Sequence, residues 1–347
     1  MELVFWASVV LLLHTYFFYP LILVLLDSAR QMVANARYLK NGFDRRRRDL
    51  EPYNPPVSLV VAAYNEEDCI QAKLDNSLSI DYPDDRFEVL IGSDGSTDRT
   101  EPMVAGCPDP RVRLSAAPRG GKVSVLNRCI PSAMGDIVVL TDANTVIDRN
   151  AIRLLVRHFK DPQVGAVCGR LRLYNRKKKE YEESTYWAYE SLIKFYEGKH
   201  GAVLGANGGL YAIRKSLFEA LPPDTVVDDF VIPLRLLDRG YKVIYEPEAV
   251  AFEETTEDYG REFGRRARIA AGNFQSLRMV PGVLNPARGF VAFAFWSHKV
   301  LRWVAPMLMG LALLANAALL ASPAYQVLFA LQLAFYALAY LGKGTQL

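Results

Sequence analysis

The chain has 347 residues, 51% of them apolar, and a formal net charge of +3. That charge is too small to argue for nucleic acid as a partner, and Cys69, Cys107, Cys129 and Cys168 lack metal-ligand spacing, which leaves reduced structural thiols as the expectation. The apolar share is high for a purely soluble domain, so its distribution along the chain decides the class.

That distribution is uneven. No side chain from Leu3 to Leu26 is charged, a length that suits the hydrocarbon core of a bilayer. The segment has no basic n-region and no clear small-residue cleavage site before Asp27, so residues 1–27 read as an uncleaved transmembrane helix rather than a signal peptide. Residues 28–54 follow as a basic connector carrying Arg45 to Arg48, whereas only Glu2 precedes the apolar run. The positive-inside tendency then places the middle of the chain in the cytoplasm, with the protein held in the plasma (inner) membrane.

From Val57 the pattern changes. "VSLVVAAYNEEDCIQAKLDNSL", "FEVLIGSDGSTDRT", "VRLSAAPRGGKVSVLNRCI" and "DIVVLTDANTVIDRNAIRLLVRHF" each run from an apolar strand through polar residues into helical periodicity. Strands alternating with helices predict an α/β domain over 55–254 with a mostly parallel central sheet covered on both faces. Ligands of such sheets sit beyond the carboxyl ends of the strands, where these polar clusters converge. Residues 255–302 read as interfacial amphipathic helices. Residues 303–342 read as two transmembrane helices in a hairpin turned at Ser322 and Pro323, flanked by Lys299, Arg302 and Lys343.

Two familiar nucleotide motifs are excluded. "GSDGST" lacks the third glycine of the dinucleotide fingerprint. "RGGKVS" has Ala116 where a P-loop needs glycine and Val123 where it needs Ser or Thr. The polar clusters still carry chemistry. Asp94 and Asp98 flank a turn that can hydrogen-bond a base or ribose, helix capping being the plain alternative. Asp142, with Asn144 beside it, can hold a hard cation at the end of a strand, and an ordinary turn is the plain alternative there. Lys122 is a point charge suited to phosphates. Asn207, in "GANGG", can donate to or accept from a ligand. Asp228 and Asp229 stand as adjacent carboxylates before a helix, where an apolar setting would raise one toward use as a general base. The aromatic stripe around Trp187 reads either as an acceptor groove or as core. His14, His158, His200 and His298 are unclustered and offer no rival metal site.

"VVAAYNEE", "DGSTD", "GGKVSVLN", "TDAN", "GANGG" and "VDDF", in that order between one N-terminal and two C-terminal apolar segments, resemble the membrane-bound inverting family 2 glycosyltransferases of GT-A fold. That group includes the cellulose, hyaluronan, chitin and poly-N-acetylglucosamine synthases. The resemblance implies a GT-A nucleotide-sugar-binding domain, beside the three transmembrane helices that the apolar segments predict. By position it implies that Asn65, Glu66 and Asp94 meet the base and ribose, with uridine nucleotides favoured, and that Lys122 sits near the diphosphate. Asp142 and Asn144 would then hold Mn²⁺ or Mg²⁺, and Asp229 would act as catalytic base. Asp228, Asn207, Trp187, Arg265, Arg266 and Arg268 are expected around the acceptor or diphosphate. The Gln-x-x-Arg-Trp motif of processive members is altered here, with Arg265 for glutamine and Ile269 for tryptophan, although Arg268 is kept. The expectation is therefore transfer of one or a few sugars to a lipid-linked or saccharide acceptor, with membrane lipids and a homo-oligomer as partners. A processive synthase is the first alternative, and a noncatalytic nucleotide-sugar-binding subunit the second.

Overall fold

The computed structural model describes residues 1–41, 53–175, 180–182, 185–254 and 259–341; the basic run Arg45 to Arg48 and Lys343 lie outside them. The N-terminal apolar run is helical as α1 (Glu2–Leu13), a π-turn (His14–Phe18) and α2 (Tyr19–Asn41). Pro20 has no N–H to offer the carbonyl of Tyr16, which fits a local i→i+5 pattern at this point. The helix does not end near Asp27. It continues to Asn41, so much of the expected connector is helical.

The chain divides into two compact units, Gln31–Ala292 and Met1–Arg30 with Phe293–Leu347. The larger is built from β1 (Val57–Ala63), α3 (Ile70–Leu78), β2 (Phe87–Asp94), α4 (Thr100–Ala105), β3 (Val112–Ala117), α5 (Lys122–Ser132), β4 (Ile137–Asp142), β5 (Thr145–Ile147) and α6 (Ala151–Val156). It continues with β6 (Val164–Asn175), β7 (Glu180–Glu182), α7 (Thr185–Lys199), β8 (Tyr211–Arg214), α8 (Asp228–Asp238), β9 (Lys242–Glu254) and α9 (Tyr259–Met279). The sheet order is β3-β2-β1-β4-β8-β6-β9-β5, with β7 on β6.

The first half, β3-β2-β1-β4, is entirely parallel, as the alternating pattern predicts. Beyond β4 the sheet is mixed, because β8 runs antiparallel to both β4 and β6 while β9 is parallel to β6. Buried on both faces, β1 and β2 read as almost continuous apolar runs. The chain leaves β1 toward β2 and β3, then returns on its other side as β4. The crevice between the β1 and β4 loops is therefore the topological switch point of the sheet.

At the opposite, amino end of these strands, buried Glu88 accepts from Ser58 Oγ, from the Met134 N–H and from Arg113 Nη1 (2.7 Å). Replacing Glu88 with Ala strands these donors. The expected cost is about 2 kcal/mol, read as a lowered Tm, with donor binding unchanged because the opposite end of the sheet is untouched.

The chain passes from the larger unit into the smaller within α10 (Phe290–Ala294) and continues as a π-turn (Phe295–Val300), α11 (Leu301–Trp303), α12 (Ala305–Ala317) and α13 (Pro323–Leu341). Among the described residues two helices are long and apolar enough to cross a membrane, Glu2–Lys40 and Pro323–Leu341. The expected third span is a bent pair, Phe290–Trp303 and Ala305–Ala317, meeting at 63°. Pro306 lies just past the break and disfavours a straight helix through it. Within this unit Phe5 packs with Ala312 and Ala315, and Thr15 Oγ1 donates to the Ser297 carbonyl (2.6 Å).

Candidate active site

The loops after β1 and β2 hold each other. Asn65 sits at φ 53°, a left-handed conformation that asparagine tolerates better than most residues. Its Oδ1 accepts from the Thr97 N–H (2.8 Å) and its own N–H donates to Ser96 Oγ (3.1 Å). The Glu66 N–H donates to Thr100 Oγ1 (2.8 Å), and the Glu67 N–H to Asp98 Oδ2 (3.1 Å). Asp98 Oδ1 also accepts from the Thr100 N–H (2.9 Å), so capping is part of its role. These bonds turn two separate sequence motifs into one rim of the crevice. Arg119 lies over the Tyr64 ring on that rim, 3.3 Å from its centroid, a cation–aromatic pair that sequence reading did not single out.

Asp94 is buried, and its carboxylate accepts from the N–H groups of Gly120 (2.7 Å) and Gly121 (2.9 Å). It thereby fixes the glycine loop from which α5 starts. Gly121, at φ 86°, supplies the turn that only glycine adopts without strain. Lys122 is the first residue of that helix, so Asp94 aims the lysine through the loop.

Lys122 Nζ donates to Asp142 Oδ1 (2.8 Å) and lies 3.7 Å from Asp228 Oδ2. Burial alone would lower its pKa, but the carboxylates of Asp228, Asp142 and Asp229 outweigh that and raise it, so the side chain stays charged. Asp228 and Asp229 open α8. Burial raises Asp228, opposed by Lys122 and reinforced by Asp142. Asp229 is pushed up to about 6, first by burial and then by the charge of Asp228. The pair is withdrawn from solvent, but its surroundings are charged rather than apolar, with Lys122 and Asp142 facing it.

Gly208 explains how the acidic groups come together. A Cβ there would lie 3.2 Å from Asp229 Oδ2 and 3.6 Å from Asp142 Oδ2, so the missing side chain leaves one space that both carboxylates face. Asn207 is held by protein partners, accepting from Lys194 Nζ (2.5 Å) and donating to the Gly169 carbonyl (3.2 Å), which steadies this glycine segment.

Asn144 is exposed, and its side chain acts to lower the pKa of Glu253, which sits opposite Thr145 on β9. Burial and Asp142 raise Glu253, and the charge of Arg265 reaches it from α9. Glu253 was missed in sequence because nothing near it marks a motif. Arg266 and Arg268 are exposed on α9. Trp187, on α7, lines a separate groove with Arg170, Leu171, Arg172 and Ser191.

A divalent cation fits this site by donor chemistry. Asp142 supplies a hard oxygen that faces the Gly208 space, and Asp228 Oδ2 is buried without a hydrogen-bond partner among the described residues. No group of three or more His, Cys, Asp or Glu residues able to hold a metal occurs among the described residues. A cation here would therefore draw on one or two carboxylates and on oxygens of the ligand itself.

A parallel β3-β2-β1-β4 half-sheet with its ligand loops at the switch point, extended by a mixed half that carries an acidic helix start, defines a GT-A-type nucleotide-sugar-binding fold. The sequence pattern of the glycosyltransferase-like family 2 matches residues 55–272, and the chain belongs to that family. The poly-β-1,6-N-acetyl-D-glucosamine synthase of Staphylococcus aureus (strain MSSA476) is 29% identical over 229 residues, covering 64% of this chain and 55% of that protein. The probable glycosyltransferase YdaM of Bacillus subtilis (strain 168) is 27% identical over 232 residues, 63% of this chain and 55% of that one. The chain thus spans about half the length of the curated relatives it matches. Among solved structures, the mannosyltransferase PcManGT from Pyrobaculum calidifontis, in complex with GDP-Man and Mn²⁺, superposes with a TM-score of 0.63 at 25% identity, over 99% of both chains.

Proposed function

We propose that this chain is a metal-dependent inverting glycosyltransferase that moves a sugar from a nucleotide-sugar donor to a hydroxyl of a membrane-associated lipid or saccharide. The observation that carries it is the space at Gly208, faced by Asp142 and by an Asp229 raised to about 6, with Lys122 ion-paired to Asp142. Asp229 takes the proton of the acceptor hydroxyl as its oxygen bonds to the anomeric carbon. The carbon–phosphate oxygen bond breaks on the opposite side, and its electron pair leaves with the nucleoside diphosphate. Lys122 turns from Asp142 to the departing phosphates, and Asp142, Asn144 and Asp228 are the residues that would hold Mn²⁺ or Mg²⁺. The cation, when bound, supplies charge stabilisation of the leaving group. Asn65 and Glu66 shape the rim that receives the base and ribose, and Asp94 acts through the glycine loop. Arg265, Arg266, Arg268 and Trp187 stand on the acceptor side of this reading, with the catalytic domain in the cytoplasm at the inner membrane.

The number of sugars transferred is read differently from the sequence expectation. The Staphylococcus aureus relative is named as a polymer synthase, which favours repeated extension over transfer of one or a few sugars. The altered motif at Arg265, Arg268 and Ile269 supports single transfer as the second reading. Both readings meet one experiment. The detergent-purified protein, in native lipid extract, is offered a panel of UDP-, GDP- and TDP-sugars with Mn²⁺, Mg²⁺ or chelator, and products are followed by mass. Donor-selective, cation-dependent diphosphate release with a ladder of products is the expected result. A single added sugar selects the second reading, and tight donor binding without turnover by any acceptor selects a noncatalytic subunit.

A further inference from the structure

Helix α3 carries a charged side chain in the core. Lys73 is 2% exposed, and its Nζ donates to Thr141 Oγ1 (3.1 Å) and to the Thr145 carbonyl (2.6 Å). Those two residues bracket Asp142, Ala143 and Asn144. Thr141 Oγ1 passes the connection on by donating to the Gly209 carbonyl (2.7 Å), next to Gly208. About one turn along α3, Asn76 grips the same segment from its far end, accepting from the Ile147 N–H (2.8 Å) and donating to the Ile147 carbonyl (2.9 Å).

Sheet stability does not require this arrangement. An apolar side chain would fill the space beneath the sheet without the desolvation cost of an ammonium, and the rest of α3's buried face is uncharged, made of Ile70, Leu74 and Ser77. What the ammonium adds is a fixed span between the two ends of a short, polar turn, since each end is bonded to the same atom.

We propose that Lys73 is a positioning residue for the cation-holding turn: it ties Thr141 to Thr145, sets the separation of Asp142 and Asn144, and aligns them with the Gly208 space through Gly209. The inference rests on the reading that Asp142 and Asn144 hold the cation. Burial lowers Lys73 to about 7 against the pull of Asp142, and the two hydrogen bonds of the tie need only N–H donors, which the amine has in either protonation state.

The test is Mn²⁺ affinity of the full-length purified protein, measured by electron paramagnetic resonance with and without UDP or GDP, alongside Tm. Removing a positive charge near a cation site would by itself tighten Mn²⁺ binding. Loss of the turn's geometry weakens it, by about tenfold or more for an outer-shell partner. Lys73→Met is therefore expected to weaken Mn²⁺ binding, against the electrostatic sign. Thr141→Val, a smaller change that removes one end of the tie, is expected to weaken it several-fold, and Thr141→Ser is expected to restore it. Unchanged or tighter binding in Lys73→Met and unchanged binding in Thr141→Val, with only Tm lowered, would overturn the proposal. Should Lys73→Met not fold, the Thr141 pair decides alone. Wild-type protein that binds no Mn²⁺ with or without nucleotide overturns the cation reading and this one together.

Discussion

Asp229→Asn is expected to lower kcat about a thousandfold while donor affinity stays within a few-fold of wild type. Asparagine keeps the shape and the packing at the start of α8, so what is lost is the capacity to accept a proton. The same residue sets a pH profile. Its carboxylate is displaced upward to about 6 by burial and by Asp228, so the ionised base accumulates only as pH rises through that value. At low cation concentration kcat/KM is expected to climb with unit slope below about pH 6 and to level above it. Raising the cation concentration stabilises the ionised form and moves the limb to lower pH. The stability effect has the opposite sense. A folded-state pKa above the unfolded one means stability is fully present below the unfolded value near 3.8 and is lost as pH rises through about 6. Asp229→Asn is thus expected to raise Tm at pH 7 and leave it unchanged below pH 4, as a thermal melt across pH would read. A variant with near-normal turnover would remove Asp229 from the reaction.

Asp142→Ala is the second large effect, with kcat/KM expected to fall on the order of a thousandfold and Mn²⁺ binding to disappear. Two consequences separate it from general damage. Lys122 loses its 2.8 Å partner and is freed for phosphate, so affinity for nucleoside diphosphate in chelator is expected to hold or to tighten slightly. The negative charge that helps raise Asp228 and Asp229 is also removed, so the acid limb of any residual activity moves to lower pH. Asp142→Asn keeps an oxygen but not the charge, and is expected to bind Mn²⁺ between the wild type and the alanine variant. Mn²⁺ titration of the three proteins orders them. Equal affinity in all three would place the cation elsewhere.

Much of the fold was legible because its causes are local. Apolar runs such as Val57–Ala63 and Phe87–Asp94 can only be strands buried on both faces, and the polar breaks after them mark the carboxyl ends where ligands gather. The mixed half of the sheet was not legible, since β8, β6 and β9 pair across long separations and nothing in a single strand states its neighbour or direction. The membrane segments were found from composition, but the 63° bend at Val304 and the run of helix to Asn41 depend on where backbone bonds close.

The site divides in the same way. Sequence alone determined which residue types are available and in which loops: Asp94, Lys122, Asp142, Asp228 and Asp229 each stand at a strand end or helix start and Asn144 in the turn after a strand, positions set by local pattern. Tertiary structure decided what each does. Asp94, Asn65 and Asn207 satisfy backbone groups of other segments, the N–H groups of Gly120 and Thr97 and the carbonyl of Gly169, which lie tens of residues away. Lys122 meets Asp142 and Asp228 only because β4 and α8 converge on its helix start. Glu253 and Lys73 belong to no motif at all. They acquire a role through the sheet, which sets Glu253 opposite Thr145 and buries Lys73 under the turn, since a charge reads its partners through space and not along the chain.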